Sequence, residues 1–286
     1  MEVTPLAFES LGVRSSSILV QTEDARIVID PAVALAPNRH GLPPHTLEEE
    51  AKKRLWGTVK EEAEAADILV VTHYHFDHVD PKEPELYTGK RVLLKHPRRM
   101  INPSQKNRAA SFLKSIKGLA AEIIYADNRR LKLGGTEIGF SKPVPHGSDA
   151  TRGYVVEVCV EAGESFLYTS DVQGPLLEEH LEFIMAEKPE TLIVDGPSTY
   201  FDSPFQEIEL RRANENLVKI IREAGVGRLI VDHHLARDLD YEMKIKPVLD
   251  AGEESGTWVG VAAEFLDMEP NLLEARRKEL YGKVEG

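Results

Sequence analysis

The sequence predicts a layered α/β protein, in which strands come first and strands alternating with helices follow. Short apolar runs recur along the 286 residues, and amphipathic stretches of helical length separate most of the later ones. Hydrophobic residues make up 42% of the chain, which is enough for a large core, and charged residues make up 29%. Because no stretch is long or polar enough to be a linker, residues 1–286 are predicted to form one domain.

The individual elements are predicted from apolar periodicity and from turn and cap residues. Strands are predicted at residues 17–20, 26–30, 67–72, 91–94, 123–125, 136–140, 153–160, 165–169, 191–195 and 228–232. Helices are predicted at residues 46–66, 108–117, 176–187 and 271–280, with one more that Ser203 caps and Gly225 ends. In the first of these helices, Thr46 and Glu49 have the spacing of a capping box.

Charge and composition restrict the classes of function. The first residues resemble no signal peptide, and no run of about 18 apolar residues could span a membrane, so we expect a cytoplasmic protein without membrane contact. The single cysteine, Cys159, cannot form an intramolecular disulfide and is expected to be a small buried hydrophobe. The net charge of −13 argues against nonspecific binding to nucleic acids.

A cluster of histidines follows the predicted strand 67–72 and carries the clearest chemical signal. His73, His75, Asp77 and His78 lie in the run HYHFDH, which holds three of the chain's ten histidines. On an extended backbone His73 and His75 point to the same side. Imidazole and carboxylate groups are ordinary ligands of zinc, manganese and iron. Residue type, spacing and position at a strand end agree, which favours a metal site over a loop of solvated histidines.

Further candidate ligands follow later apolar strands. His146, Asp171 and the pair His233 and His234 each lie just beyond such a strand. Taken alone, a histidine or aspartate in this position is usually a hydrogen-bonded structural residue. Together they repeat the arrangement of the first cluster, so we expect them to complete the same site. His233 follows its strand in the same pattern as His73, and we therefore prefer it to His234 as the last ligand.

With these motifs, the sequence resembles the metallo-β-lactamase fold superfamily. The motif His-x-His-x-Asp-His is that superfamily's hydrolase signature, and His146, Asp171 and His233 or His234 follow in its order and approximate spacing. The opening strand pair, which ends in Asp30-Pro31, is also similar. More narrowly, an archaeal subgroup of the superfamily is similar at residues 95–97, 101–105, 170–175 and 232–235.

The resemblance implies a four-layer αββα sandwich with a two-metal site in the cleft at the edge of its two sheets. It assigns His73, His75 and His146 to one ion, Asp77, His78 and His233 to the second, and Asp171 to both. Zinc is expected, with manganese or iron as alternatives. Two divalent ions about 3.5–4 Å apart make a bridging water available as hydroxide near neutral pH. Asp77 is expected to have a catalytic role as well, and Asp30 to hold a ligand histidine in one tautomer.

Other metalloprotein classes fit parts of the pattern less well. Oxygen-reducing diiron members of the superfamily usually carry Glu at the position of His75 and are fused to a flavin domain. The triplet at residues 232–234 is similar to that of the Asp-His-His phosphoesterases, which need an earlier cluster of spaced aspartates that this chain lacks. A hydrolase is therefore favoured, and a non-catalytic metal-binding protein is the remaining alternative.

One basic segment suggests the substrate. Between Lys90 and Lys117, nine residues are Lys or Arg and none is Asp or Glu. Such a segment could bind phosphates near the metals, although a solvated helix face is the alternative. Lys95 and His96 follow a buried strand and are expected to face the cleft, with Asn102, Ser104 and Gln105 adding polar contacts. We therefore favour a phosphodiester or nucleotide-type substrate, small or nucleic acid, over a lactone or thioester.

Overall fold

The computed structural model describes residues 1–200 and 204–282, so the predicted helix cap Ser203 lies outside the described residues. The strands are β1 (Glu2–Phe8), β2 (Ser16–Gln21), β3 (Arg26–Ile29), β4 (Ile68–Val71), β5 (Arg91–Leu94), β6 (Glu122–Tyr125), β7 (Arg130–Leu133), β8 (Thr136–Phe140), β9 (Val144–Pro145), β10 (Tyr154–Val155), β11 (Val158–Ala162), β12 (Glu164–Tyr168), β13 (Thr191–Asp195), β14 (Arg228–Asp232) and β15 (Trp258–Gly260). The helices are α1 (Thr46–Ala65), α2 (Pro103–Ser115), α3 (Glu178–Glu187), α4 (Pro204–Ala224), α5 (Tyr241–Lys244), α6 (Lys246–Ser255), α7 (Ala262–Phe265) and α8 (Arg277–Leu280).

Two large sheets form the centre of the molecule. The first has the order β1-β2-β3-β4-β5-β6, antiparallel up to β3 and parallel from β3 to β6. The second has the order β15-β14-β13-β12-β11-β8-β7 and is parallel from β12 to β15. The carboxyl ends of parallel strands meet at one sheet edge, where ligands bind in open α/β sheets. The loops after β12, β13 and β14 therefore emerge on the same side.

Helices cover the outer faces of both sheets. α1 packs on β1 and β3 of the first sheet, while α4 packs between α3 and α6 and α6 contacts β15 of the second. One buried apolar cluster takes residues from both sheets, including Ile29, Val70, Val158 and Val194. The predicted α/β class and αββα layering are therefore confirmed. Within the described residues, no helix combines the length and apolar composition that a membrane crossing requires.

Local chemistry explains where the predicted elements differ from the observed ones. β1 was missed because Pro5 interrupts its pattern, and the strand has a register shift between Pro5 and Ala7. α1 is capped one residue earlier than predicted: the His45 ring accepts from the backbone N–H of Leu47, and the Glu48 carboxylate accepts from that of His45. The predicted strand 153–160 is divided into β10 and β11, and only Arg277–Leu280 of the predicted helix 271–280 is helical.

Candidate metal centre

The histidine cluster forms a tight loop directly after β4. The backbone N–H groups of His78 and Val79 donate to the carbonyl of His75, at 3.1 and 3.0 Å. This turn folds the loop back on itself, so that the rings of His73 and His78 lie with their centroids 4.1 Å apart. Consecutive residues of one loop therefore face a common centre.

Strained backbone positions aim the later residues at the same centre. Asp30, Ser170 and His233 lie just after β3, β12 and β14, with φ of 50°, 57° and 57°. Residues other than glycine rarely adopt this left-handed conformation, and it costs about 1–3 kcal/mol at each position. Each of these residues turns its chain sharply at the sheet edge. Three of the positions with this conformation thus lie where the predicted ligands meet.

The carboxylate of Asp171 lies at the middle of the cluster. Its Oδ1 is 3.1 Å from His78 Nε2. Its Oδ2 is 3.3 Å from the Nε2 atoms of both His146 and His233, and 3.7 Å from that of His73. Asp171 therefore lies close to histidines that the resemblance to the superfamily assigns to two different ions, as a bridging ligand must.

The remaining predicted residues lie on either side of Asp171. Asp77 is 3.9 Å from the Nε2 atoms of both His78 and His233. His75 Nδ1 is 3.2 Å from His146 Nε2. We call the two groups the first-ion set (His73, His75 and His146) and the second-ion set (Asp77, His78 and His233). The possible ligand atoms of the first-ion set and Asp171 all lie within 4.8 Å of one another, and so do those of the second-ion set.

The chemistry of these atoms fits divalent metal ions. His73 Nε2, His78 Nε2 and Asp171 Oδ1 are buried, and within the described part of the chain no group forms a hydrogen bond with them. A buried polar atom without a partner is costly, and metal coordination removes that cost. Nitrogen and carboxylate donors suit zinc, manganese or iron.

The Nδ1 atoms of the ligand histidines have distinct supports. Asp30 Oδ2 lies 2.8 Å from His78 Nδ1, which agrees with the tautomer-fixing role expected for Asp30. Glu9 Oε2 lies 2.7 Å from His233 Nδ1. Among the described residues, His73 Nδ1 has hydrogen-bonding contacts with two hydroxyl groups, those of Thr72 and Ser170, both at 3.3 Å. Sequence reasoning missed Glu9; the available signal was an acidic residue directly after the apolar end of β1.

Burial and charge set the protonation of the first-ion set and of Asp77. Burial, with the neighbouring His146, lowers the pKa of His75 to about 3. Burial also lowers the pKa of His73 well below its usual value. Burial alone would raise the pKa of Asp77, but His78 and His233 outweigh it and lower that pKa to about 2. Asp77 is therefore ionised, and these two histidines are neutral, at pH 7.

The two histidines of the second-ion set behave in the opposite way. Burial opposes their protonation, but Asp171 and Asp30 raise the pKa of His78 well above its usual value. Burial would also lower the pKa of His233, but Asp171 and Glu9 raise it well above its usual value. The carboxylates around this set favour a positive charge on its histidines.

His233 and His234 differ in what they face. His233 Nε2 points toward Asp77 and Asp171. The Nδ1 atom of His234 lies 2.9 and 3.0 Å from the two oxygens of Asp195, which leaves only Nε2 for a further contact. This arrangement favours His233 as the ligand of the second ion, although His234 also lies near Asp171.

Comparisons with known proteins agree with this architecture. Residues 11–79 match the model of the Metallo-beta-lactamase superfamily. A UPF0282 protein of Metallosphaera sedula is 46% identical, over 99% of this chain and 93% of its own length. One from Korarchaeum cryptofilum is also 46% identical, over 98% and 94%. The chain belongs to the UPF0282 family. The predicted superfamily and archaeal subgroup are confirmed.

A solved structure extends the likeness to the whole fold. The isothiocyanate hydrolase from Delia radicum gut bacteria superposes on the UPF0282 chain with a TM-score of 0.58. The superposition covers 91% of this chain and 95% of that one, at 12% sequence identity. At this identity the likeness concerns the fold alone, which is that of the metallo-β-lactamase superfamily.

A pocket of about 480 Å³ opens over the candidate metal centre of the UPF0282 chain. Its wall includes His75, Asp77, His146, Asp171 and His234, together with Arg14, Ala34, Leu35, Pro37, Phe76, Arg108, Arg152, Gln173, Tyr200 and Arg237. Two of its four arginines are held by acids: Arg14 pairs with Glu274, and Arg237 pairs with Glu9. Arg108 and Arg152 form no ion pair with any described residue, and Arg108 stacks on Phe76, 4.6 Å from the ring centroid.

Most of the basic segment is used elsewhere. Lys95 is buried, and its Nζ donates to the carbonyl of Arg99 at 2.9 Å, so the expectation that it faces the cleft is wrong. The ring of His96 packs against Tyr125, and it does not line the pocket either. Arg91 pairs with Glu122 on the surface. Of the nine basic residues in the segment, only Arg108 lines the pocket.

The start of α2 has a role that differs from the predicted one. Asn102 and Gln105 donate to the carbonyls of Thr151 and Arg152, at 2.9 and 3.0 Å. Gly153 allows this approach, because its φ is +101° and a Cβ there would lie 2.9 Å from Gln105 Nε2. These amides therefore fix the turn that presents Arg152 to the pocket.

Proposed function

We propose that this protein is a two-metal hydrolase of phosphate esters. The observation that carries the proposal is the convergence of both ion sets on Asp171. Its Oδ1 lies 3.1 Å from His78 of the second-ion set, and its Oδ2 lies 3.3 Å from both His146 of the first-ion set and His233 of the second. A carboxylate placed between two clusters of buried imidazole nitrogens is suited to bridging two ions. When bound, a pair of divalent ions lowers the pKa of water and offsets negative charge that develops on a substrate.

The side chains around the ions have separate roles in the proposed reaction. Asp171 holds the two halves of the centre at a fixed separation. Asp77 is ionised, lies at the pocket wall, and is 3.9 Å from the Nε2 atoms of both histidines of the second-ion set. It is therefore placed to orient a nucleophilic water and to accept its proton.

The pocket wall supports an anionic substrate. Arg108 and Arg152 form no ion pair with described residues and lie on the wall over the centre, so they can bind phosphate oxygens. Leu35, Pro37 and the half-exposed Phe76 give the same pocket an apolar side. A charged phosphodiester that carries a nucleobase or another flat organic group matches both sides. A lactone or thioester would leave the two guanidinium groups without a partner.

A substrate panel tests this proposal. Zinc- and manganese-loaded protein is assayed with an aryl phosphodiester, cyclic and linear nucleotides, a lactone and a thioester. We expect turnover of phosphodiesters. Turnover of the lactone or thioester alone would remove the phosphate-ester assignment, and two bound ions without any turnover would favour a non-catalytic metal-binding protein.

Arginine variants locate the phosphate contact within the same assay. Arg108→Met and Arg152→Met are each expected to raise the KM for the phosphodiester by about 10-fold, or ~1.4 kcal/mol of lost binding, with unchanged metal content. Arg91→Met is the matched control, because Arg91 belongs to the same basic segment but pairs with Glu122 away from the pocket. An equal effect of all three variants would show that general surface charge, and not the pocket, is responsible.

A further inference from the structure

We infer that Glu9 is a positioning residue that holds a ligand of the second ion and a substrate-binding arginine at the same time. This inference rests on the proposed two-metal hydrolase. Glu9 lies in the short turn after β1, more than 220 residues away in sequence from the two groups that it contacts. No motif in the chain points to it.

The carboxylate of Glu9 is divided between two partners. Its Oε2 is 2.7 Å from His233 Nδ1. Its Oε1 accepts from Arg237 Nε at 2.9 Å and from Nη2 at 2.6 Å. All three side chains are buried. A buried carboxylate is stable only with several donors, and these three contacts satisfy it.

The contact with Glu9 settles how His233 presents its ring. Nδ1 faces Glu9 Oε2 at 2.7 Å and, at the longer distance of 3.2 Å, the carbonyl of Ser15. When Nδ1 donates its hydrogen to these acceptors and the ring is neutral, the lone pair of Nε2 is directed toward Asp77 and Asp171. A carboxylate partner of this kind fixes the tautomer and makes the ligand nitrogen more basic. Glu9 therefore prepares His233 to bind the second ion.

The contact with Glu9 also holds Arg237 beside the second-ion set. Arg237 Nη2 is 3.2 Å from His233 Nε2, and the side chain lines the pocket. Within residues 1–200 and 204–282, Nε and Nη2 donate to Glu9, and Nη1 donates to no group. The negative charge of Glu9 offsets the cost of a guanidinium beside a metal centre. Nη1 is thus available for an anionic oxygen of the substrate on the side of the second ion.

The backbone around Glu9 is anchored to the elements that carry its partners. The N–H of Ser10 donates to Asp232 Oδ1 at 3.3 Å, and the Ser10 hydroxyl accepts from the N–H of Ala263 at 3.0 Å. Asp232 ends β14, directly before His233, and also accepts from the N–H of Ala262 at 2.8 Å. Glu9 is therefore fixed relative to His233.

Zinc titration of Glu9→Gln tests the positioning of His233. Calorimetry and metal analysis are expected to give a second-ion affinity about 10–100-fold weaker than wild type, with the first ion unchanged. Neither readout requires catalysis, so the outcome is independent of whether the hydrolase proposal holds. A second-ion affinity equal to that of wild type in a folded variant would overturn the inference.

Glu48→Gln is the matched control. Glu48 binds Arg277 through two contacts of 2.8 and 2.7 Å, and both residues are as buried as Glu9 and Arg237, but this pair lies at the start of α1 and does not line the pocket. Glu48→Gln is expected to lower the melting temperature and to leave both zinc affinities unchanged. A loss of the second ion in this control as well would reduce the role of Glu9 to general stability.

Arg237→Lys tests the substrate side and remains informative if Glu9→Gln does not fold. The lysine keeps the charge beside Glu9 but lacks the second arm of the guanidinium. The zinc-loaded variant is expected to retain both ions and to bind inorganic phosphate about 10-fold more weakly than wild type, a loss of ~1.4 kcal/mol. Unchanged phosphate affinity would overturn the assignment of Arg237 as a substrate-binding residue.

Discussion

The two halves of the candidate metal centre are supported by different chemistry. In the second-ion set, the Nδ1 atoms of His78 and His233 face the carboxylates of Asp30 and Glu9 at 2.8 and 2.7 Å. In the first-ion set, His73 Nδ1 faces only hydroxyls, and within the described part of the chain the buried His146 Nδ1 has no hydrogen-bond partner. Within the described residues, carboxylates therefore support the second-ion set, while the first-ion set has hydroxyls at His73 and no partner at His146 Nδ1.

This difference assigns different properties to the two ions. Carboxylate partners orient a ligand histidine and increase its basicity, while hydroxyl partners do so weakly. The affinity for the second ion should therefore depend strongly on pH and on the carboxylates that contact its ligand histidines. The affinity for the first ion should depend mainly on its ligands themselves. Asp171, which both halves share, should be essential to both.

The largest effect is expected from removing the shared carboxylate. Asp171→Asn should lower hydrolysis by at least about 1,000-fold, because it removes the group that both ions are expected to share. Metal analysis of the variant should show that both zinc ions are weakened. Loss of only one ion would show that Asp171 belongs to one half and does not bridge.

A pH titration should separate the two halves. In the metal-free protein the raised pKa values of His78 and His233 keep both protonated at pH 7, so the second ion must displace about two protons. Its affinity should then fall by up to about 100-fold for each pH unit below 7. His73 and His75, whose pKa values are lowered, are already neutral, so the first ion should displace none from them.

Zinc calorimetry in buffers of different ionisation enthalpy measures this proton release directly. The two binding steps are compared at pH 6, 7 and 8. Equal proton release in both steps would contradict the difference between the halves.

Substitutions of the residues that support the ligand histidines should weaken binding of the second ion more than binding of the first. Asp30→Asn removes the charge that faces His78 and should weaken the second ion by about 10–100-fold. Ser170→Ala removes a hydroxyl that faces His73 and should weaken the first ion by less than about 3-fold, the scale of a mild substitution. Zinc affinities of both folded variants provide the check. A larger loss from Ser170→Ala would reverse the comparison.

The smallest effect on metal binding is expected at His234. Because Asp195 holds its Nδ1 atom, His234→Ala should change neither zinc affinity by more than about 3-fold. His233→Ala, its matched partner, should lose the second ion. Loss of an ion in His234→Ala together with retention in His233→Ala would exchange the two assignments.

The candidate metal ligands could be predicted because the signals that mark them are local in sequence. His73 follows β4, and Asp171 and His233 follow β12 and β14 in the parallel part of the second sheet, where the carboxyl ends of the strands meet at one edge. His146 follows the two-residue strand β9, which is antiparallel to β10. Residue type and position after an apolar run selected all four as candidates. The same rule placed Asp30, the residue after β3, behind a ligand histidine.

The parts that sequence could not predict depend on distant contacts. Glu9 acquires its role only when β1 is brought against the loop after β14. Arg152 reaches the pocket because the start of α2 holds its turn. Lys95 has the same local pattern as a pocket residue, yet its ammonium bonds to the carbonyl of Arg99 in its own loop. Charge counted along the chain therefore predicted one pocket arginine, Arg108, and missed Arg14, Arg152 and Arg237.

Metal stoichiometry tests the central claim most directly. Protein purified without added metal is dialysed against zinc, and bound ions are measured per chain alongside Glu9→Gln. We predict about two ions for wild type and about one, held by the first-ion set, for the variant. Less than about one ion per chain in the wild type, with no gain on zinc addition, would contradict a two-metal centre around Asp171.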